Sequence, residues 1–177
     1  MKNVKTTIVH GWLQEDADIR DVQYFLRRVR EGTILHIALS LIERAPTQDN
    51  IRNCLKKAIL LMGERPDDWD LRALTARLER VFSLPEASLF FPSEPGVEVH
   101  AEREIASEEG VVKPDRVVVY PERAIVVDFK ISRPNRQRLE DYVRQVKNYV
   151  DVVSSVFGKD TQGYLLFLYD AQVERVV

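Results

Sequence analysis

The residues with the most chemistry in them are Asp115, Asp128 and Lys130, all within residues 111–132 (VVKPDRVVVYPERAIVVDFKIS). Two β-branched runs joined by Pro121-Glu122-Arg123 read as a hairpin. Counting outward from that turn, with Tyr120 set opposite Ala124, brings Asp115 opposite residues 128–130. Opposed side chains on one face of an antiparallel pair lie about 4.5–5.5 Å apart, so the two carboxylates and the lysine are expected to meet. On the second strand Ile125, Val127, Phe129 and Ile131 alternate with Ala124, Val126, Asp128, Lys130 and Ser132. The first set is apolar throughout. The second turns from apolar to charged as the strand ends, the pattern of a site set beside a core.

Carboxylate oxygens are hard ligands suited to Mg²⁺ or Mn²⁺, ions that keep waters and also take phosphate oxygens. Such an ion lowers the pKa of a bound water and offsets charge on a phosphate under attack. A lysine beside it can orient or deprotonate the water, or stabilise charge on the phosphoryl oxygens. The same residues also fit a cross-strand salt bridge of Asp115 or Asp128 with Lys130, and the hairpin alone does not decide between the two.

The elements around the hairpin supply further candidates. Residues 17–30 have Ile19, Val22, Phe25, Leu26 and Val29 on one helical stripe, with Arg20, Arg27, Arg28 and Arg30 elsewhere. That basic side reads as a solvated face or as a phosphate-contacting one. Gly32-Thr33 then reads as the start of a second helix with Thr33 as N-cap. His36 would stand in its first turn, where the positive helix end favours the neutral, metal-binding imidazole; in a nearly all-apolar helix it also reads as a satisfied core histidine. Residues 50–62 and 68–82 read as two more amphipathic helices that pack behind the site, with Cys54, Leu55, Ile59 and Leu60 as core. Residues 83–96, with Pro85, Pro92 and Pro95, mark the boundary to the strand-rich half.

Residues 97–105 alternate as a strand, with Glu98, His100, Glu102 and Glu104 on one face. Residues 107–110 form a turn, and 137–157 a helix buried through Leu139, Val143, Val146, Val150 and Val153. Tyr142, Gln145 and Tyr149 share an adjoining face of that helix by i, i+3, i+4 spacing. Lys130, Arg133, Arg136, Arg138, Arg144 and Lys147 make the surroundings basic, as suits a run of phosphates led toward a metal. Residues 163–169 are nearly all apolar, as expected of a central strand reached by a helical crossover, and 172–177 read as a short edge strand. His10 reads as a surface histidine after an extended segment at 6–9, and His100 as structural.

Pro114-Asp115, twelve residues, then Asp128-Phe129-Lys130 resembles the signature of the PD-(D/E)XK nuclease superfamily. The order His36, Asp115, Asp128-Phe129-Lys130 and Gln145-x-x-x-Tyr149, over about residues 31–168, is similar to its RecB-type branch, found as the C-terminal nuclease domain of RecB- and AddA-like helicase–nucleases. The resemblance implies a restriction-endonuclease-like core: a mixed β-sheet flanked by helices, in an α/β domain with a helical N-terminal half. It implies a Mg²⁺- or Mn²⁺-dependent deoxyribonuclease, with exonuclease activity in DNA repair and recombination. His36, Asp115, Asp128 and the main-chain carbonyl of Phe129 would hold the metal, and Lys130 would serve the water or the scissile phosphate. Glu102 aligns with a recurrent glutamate that assists the metal or organises the site. Gln145 and Tyr149 would position the strand; beside this implied set, the basic stretch itself offers Arg133 and Arg136 for DNA contact, and Arg116, next to Asp115, would pair with it or touch phosphate. The implied partners are DNA, as single strands or duplex ends, and a helicase motor in the same full-length chain or complex. A nuclease fold without turnover, serving as a DNA-binding or scaffold module, is the alternative.

Length and composition bound these expectations. The 177 residues fit one domain, 1–95 helical and 96–177 built on the sheet, with 45% hydrophobic and 31% charged residues as in ordinary globular chains. A net charge of −2 gives no overall basic signature, so nucleic-acid contact must come from local patches. Cys54 is the only cysteine, which excludes a disulfide framework, fits a reducing cytoplasm and excludes the four-cysteine iron–sulfur cluster of some RecB-type nucleases. No signal peptide is read, and the longest apolar run, residues 34–42 interrupted by His36 and Ser40, is too short to span a bilayer. A P-loop is absent from the sequence, so this chain carries no ATP motor of that type.

Overall fold

The β-branched runs on either side of Pro121 pair antiparallel and form the centre of a mixed sheet in the computed structural model, which describes residues 19–108 and 110–177. His10, the extended segment at 6–9 and the acidic turn after it lie outside the described residues. Strands β1 (Glu98–Ala101), β4 (Arg116–Val119), β5 (Arg123–Lys130), β6 (Asp160–Phe167) and β7 (Gln172–Arg175) are ordered β1-β4-β5-β6-β7. Only β5 and β6 are parallel. The connection between them is helix α5 (Arg136–Phe157), as parallel neighbours require a crossover. Strands β2 (Ile105–Ser107) and β3 (Gly110–Val112) pair separately as a small ribbon.

Period-2 alternation on β5 divides the core into two layers. Ile125, Val127 and Phe129 join an apolar cluster with helices α1 (Ile19–Leu41), α2 (Gln48–Leu61), α3 (Leu71–Phe82) and α4 (Ala87–Phe90). Ala124 and Val126 join a second cluster with Val146, Val150, Val152 and Val153 of α5 and with Ile105 and Val112 of the ribbon. The chain is thus mixed α/β, its sheet covered on both faces. Among the described residues no helix is long and apolar enough to cross a membrane.

The structure departs from the sequence reading at four places that matter to the site. Val119 pairs with Ala124, so Tyr120 faces Arg123, one residue from the expected register, and Asp115 precedes β4 instead of lying within it. Residues 97–105 do not form one strand: β1 ends at Ala101 and Glu102 adopts a left-handed backbone (φ 54°). Gly32 and Thr33 do not start a helix. They lie inside α1, where the Thr33 hydroxyl donates to the Val29 carbonyl (3.0 Å) instead of capping. The stripe of Phe25, Leu26 and Val29 is exposed, because the first half of α1 extends past the sheet-covering cluster among the described residues.

Candidate metal centre

The site forms where several strand ends meet at one end of the sheet: the end of β1, the start of β4 and the carboxyl end of β5. Ligands of open α/β sheets bind outside the carboxyl ends of their parallel strands. Glu102 follows β1, Asp115 precedes β4, and the Glu102 N–H donates to the Asp115 carbonyl (3.0 Å), closing the neck of the β2–β3 ribbon. A non-glycine residue in the left-handed region costs of order 1–3 kcal/mol and persists only where its surroundings impose it. The effect here is to set the Glu102 side chain beside that of Asp115.

His36 comes from the opposite layer. A glycine inside a helix costs about 1 kcal/mol against alanine, and Gly32 has a packing reason to be there. A Cβ at that position would come within 2.5 Å of the Ile131 side chain just past β5. The bare backbone lets α1 approach the strand end, and His36, one turn on, reaches the carboxylates. Its imidazole meets the Phe129 ring edge-on at 5.6 Å.

His36 Nε2 lies 3.1 Å from Asp115 Oδ1 and 3.3 Å from Glu102 Oε1. The ligand atoms of these three residues all fall within 4.8 Å of one another, the spacing of a shared ion. The Phe129 N–H donates to the other Asp115 oxygen (2.5 Å), anchoring that carboxylate to β5. Lys113 Nζ lies 2.8 Å from Glu102 Oε2. Glu102 Oε1 is buried and, like Asp128 Oδ2, accepts no well-directed hydrogen bond among the described residues, His36 Nε2 being its ion-pair neighbour. Asp128 stands beside the three, nearly fully buried on the α5 face, its Oδ2 2.6 Å from Lys130 Nζ.

The electrostatics follow from placing carboxylates at the edge of a core. Burial acts against a charged His36, but the hydrogen bond to Asp115 and the charges of Asp115, Glu102 and Asp128 outweigh it, and its pKa lies above the ordinary 6.5. This reverses the expectation of an imidazole kept neutral by a helix start, since His36 sits near the carboxyl end of α1. Burial, helped by the Asp115 charge and opposed by Lys130 and His36, pushes the Asp128 carboxyl up to about 6.

Helix α5 supplies the remaining wall. Asn135 caps its start by accepting from the Arg138 N–H (3.1 Å). Close approach to the sheet is possible because β6 carries Gly163, where a Cβ would come within 2.6 Å of Val146 and 2.7 Å of Val150. Gln145 and Tyr149 therefore lie over the end of β5: Lys130 donates to Gln145 Oε1 (3.1 Å) and Gln145 Nε2 to the Tyr149 hydroxyl (2.6 Å). Lys130 also sits 4.3 Å from the centre of the Tyr142 ring. Burial first, then the Asp128 charge, raises the Tyr149 pKa, so its phenol stays protonated.

Of the arginines expected at DNA, Arg136 is 93% exposed and within 3.5 Å of Glu140, and Arg133 is paired with Glu174 (2.8 Å). Arg116 needs correcting. It is 0% exposed and neither pairs with Asp115 nor reaches solvent. Its guanidinium lies 4.2 Å from the centre of the Phe91 ring and donates to the carbonyls of Leu39 (2.7 Å), Glu43 (3.3 Å), Phe90 (3.3 Å) and Ile42. Carbonyls at a helix end lack intrahelical partners and carry the negative end of its dipole. Arg116 thus closes the carboxyl ends of α1 and α4 from inside and ties the helix that bears His36 to the residue after Asp115. His100 lies against the Phe157 ring and 3.5 Å from Glu98, away from the cluster.

The sequence reading did not single out Lys113; its nearness to Pro114-Asp115 is the only signal there. No protein-family model and no curated protein matches the sequence.

Proposed function

We propose that the chain is a metal-dependent nuclease that hydrolyses DNA phosphodiesters, built on a restriction-endonuclease-like core of the RecB type. The observation that carries this reading is the convergence of His36 Nε2, Glu102 Oε1 and Asp115 Oδ1 within 4.8 Å of one another, beside the buried carboxylate of Asp128. Buried charges are paired or coordinate metals, and a divalent cation among these ligands would supply the counter-charge that the carboxylates need. The donor set of one imidazole and hard carboxylate oxygens fits Mg²⁺ or Mn²⁺.

His36, Glu102 and Asp115 would hold the ion, with Asp128 and the Phe129 carbonyl completing the set that the resemblance implies. The ion supplies an activated water and charge compensation at the phosphorus. Lys130, fixed by Asp128 and Gln145, presents its ammonium to a phosphoryl oxygen gaining charge. Gln145 and Tyr149, linked to each other and to Lys130, form the wall along which a strand would be positioned. Arg136 at the exposed start of α5 adds a phosphate contact. An exonuclease domain acting with a helicase motor is the fuller form of this reading.

The test is cleavage of end-labelled single- and double-stranded DNA with Mg²⁺, Mn²⁺ or EDTA, wild type beside Asp115→Ala and Lys130→Ala. Metal-dependent cleavage lost in both variants supports the reading. DNA binding that needs no divalent ion, without cleavage, would favour a non-catalytic DNA-binding module instead.

A further inference from the structure

Several of the basic side chains around the centre have acidic neighbours. Arg133 is held by Glu174, Arg136 lies by Glu140, Arg144 pairs with Asp141, and Lys130 is held by Asp128. Among the described residues, Lys113 is the lysine or arginine in ion-pair contact with a member of the His36–Glu102–Asp115 group. It is also 53% exposed, so its end can move in solvent while its backbone stays fixed. That backbone is tethered by the buried Pro114, which disfavours a helical conformation for the residue before it, and by the closed neck of the ribbon.

The Lys113–Glu102 pair is therefore conditional on what occupies the group. Glu102 presents Oε2 to Lys113 and Oε1 to His36 and the site. A divalent cation among the three ligands draws on the Glu102 charge and faces the lysine with a like charge, which weakens the pair. A half-exposed ion pair is worth little to begin with. The anion that then comes within reach of Lys113 is a phosphate oxygen bound at the same ion. On this geometry we propose that Lys113 is a second phosphate-binding lysine of the centre, engaging the substrate phosphodiester from Glu102's side as Lys130 does from Asp128's. The proposal rests on the nuclease reading and adds a substrate contact that the motif residues do not include.

The experiment follows binding of a fluorescent single-stranded oligonucleotide across a salt series, with Ca²⁺ replacing Mg²⁺. Wild type, Lys113→Gln and Lys113→Arg are compared, together with calorimetric Mn²⁺ titrations and Mg²⁺-dependent cleavage. Losing one phosphate contact on a single strand reduces the slope of log K against log salt by about 0.7. Lys113→Gln is expected to show that reduction and about tenfold weaker oligonucleotide binding, with Mn²⁺ affinity unchanged or slightly higher, and Lys113→Arg to keep the wild-type slope. An unchanged slope with weaker Mn²⁺ binding would mean that Lys113 only positions Glu102, and would overturn the proposal. So would unchanged values throughout in a wild type that cleaves DNA. A wild type that neither cleaves nor binds the oligonucleotide with any divalent ion fails the nuclease reading itself, and the proposal goes with it.

Discussion

Replacing Arg116 tests whether a buried arginine or a phosphate contact stands beside Asp115. Of the four carbonyls it serves, that of Glu43 belongs to an exposed residue and that of Leu39 also accepts from the Ile42 N–H. Ile42 and Phe90 are left with the buried acceptors that depend on it most. An unpaired buried acceptor costs about 1–3 kcal/mol, so Arg116→Met forfeits roughly 2–6 kcal/mol, plus about 1 kcal/mol for the contact with Phe91. Against this, burial lowers the arginine's pKa to about 10 despite the opposing charge of Glu43. That is a burden of roughly 3 kcal/mol at about 1.4 per unit, and methionine removes it. The net loss is about 2 kcal/mol, or roughly 4–8 °C in melting temperature for a chain of this size. Arg116→Lys keeps the buried charge but cannot reach several carbonyls at once, and should be worse, near 3–5 kcal/mol. Thermal and urea unfolding in EDTA check the order. Lysine outperforming methionine would show that charge alone matters at this position. Unaltered stability with weaker DNA binding and a shallower salt slope would refute the buried-cap argument and restore Arg116 to the phosphates.

Three further outcomes follow from the same geometry. Asp128→Asn removes a buried carboxylate whose pKa is raised to about 6 despite Lys130; two units correspond to roughly 3 kcal/mol at most, reduced by the cost of burying the asparagine amide. The metal-free variant should therefore melt a few degrees higher than wild type while losing DNA cleavage, and a lower melting temperature in EDTA would contradict this. Gly32→Ala should weaken Mn²⁺ binding severalfold by pushing His36 back, with a stability change under about 2 kcal/mol because better helix propensity offsets the clash; the Mn²⁺ defect should vanish in an Ile131→Ala background, as calorimetry of the four proteins would show. Tyr169 is raised to about 12, by burial first and then by Glu31 beside it. Its folded pKa lies above the unfolded one, so the stability it contributes is full below pH 10 and is lost as the pH rises through about 12. In an ultraviolet titration of the six tyrosines, Tyr169→Phe should remove the component of highest pH.

The parts of the fold that were legible are those with an unbroken period. The run on β5 alternates cleanly, and α5 has an apolar stripe, an Asn135 cap and Gly158 in the left-handed conformation at its end. Both elements emerge within a residue or two of their sequence bounds, and with them Lys130, Gln145 and Tyr149 meet. What misled was punctuation. Gly32-Thr33 looks like a helix start, yet the glycine is there for Ile131 and the threonine bonds back to Val29. Glu102 is the opposite case: the strand breaks at a residue with no turn preference, because the neck formed with Asp115 imposes the conformation. Arg116 was illegible for a third reason. An arginine beside an aspartate on a strand reads as a surface pair, and only the meeting of two helix ends over β4 shows what it serves.

The centre puts three carboxylates together, and the chain gives each a different internal partner. Asp115 takes the His36 imidazole and the Phe129 N–H, Glu102 takes Lys113, and Asp128 takes Lys130. Three of the partners are cations: Lys113 is half-exposed, Lys130 is held also by Gln145, and His36 faces the carboxylates through the same nitrogen that would bind a metal. The cluster is thus neutralised well enough to fold without an ion, but an ion would compete with Lys113 and His36 for the carboxylates. An ion that binds only the folded state stabilises it by RT ln(1 + [L]/Kd), so at about a hundred times its Kd, Mn²⁺ should add roughly 2.7 kcal/mol to wild type. That increment should shrink in Asp115→Asn, which removes a ligand charge, and should persist in Lys113→Gln, which removes only a competitor. A site built merely to satisfy its own salt bridges would give the reverse: no stabilisation by Mn²⁺ in any variant, and a loss of stability for each cation removed.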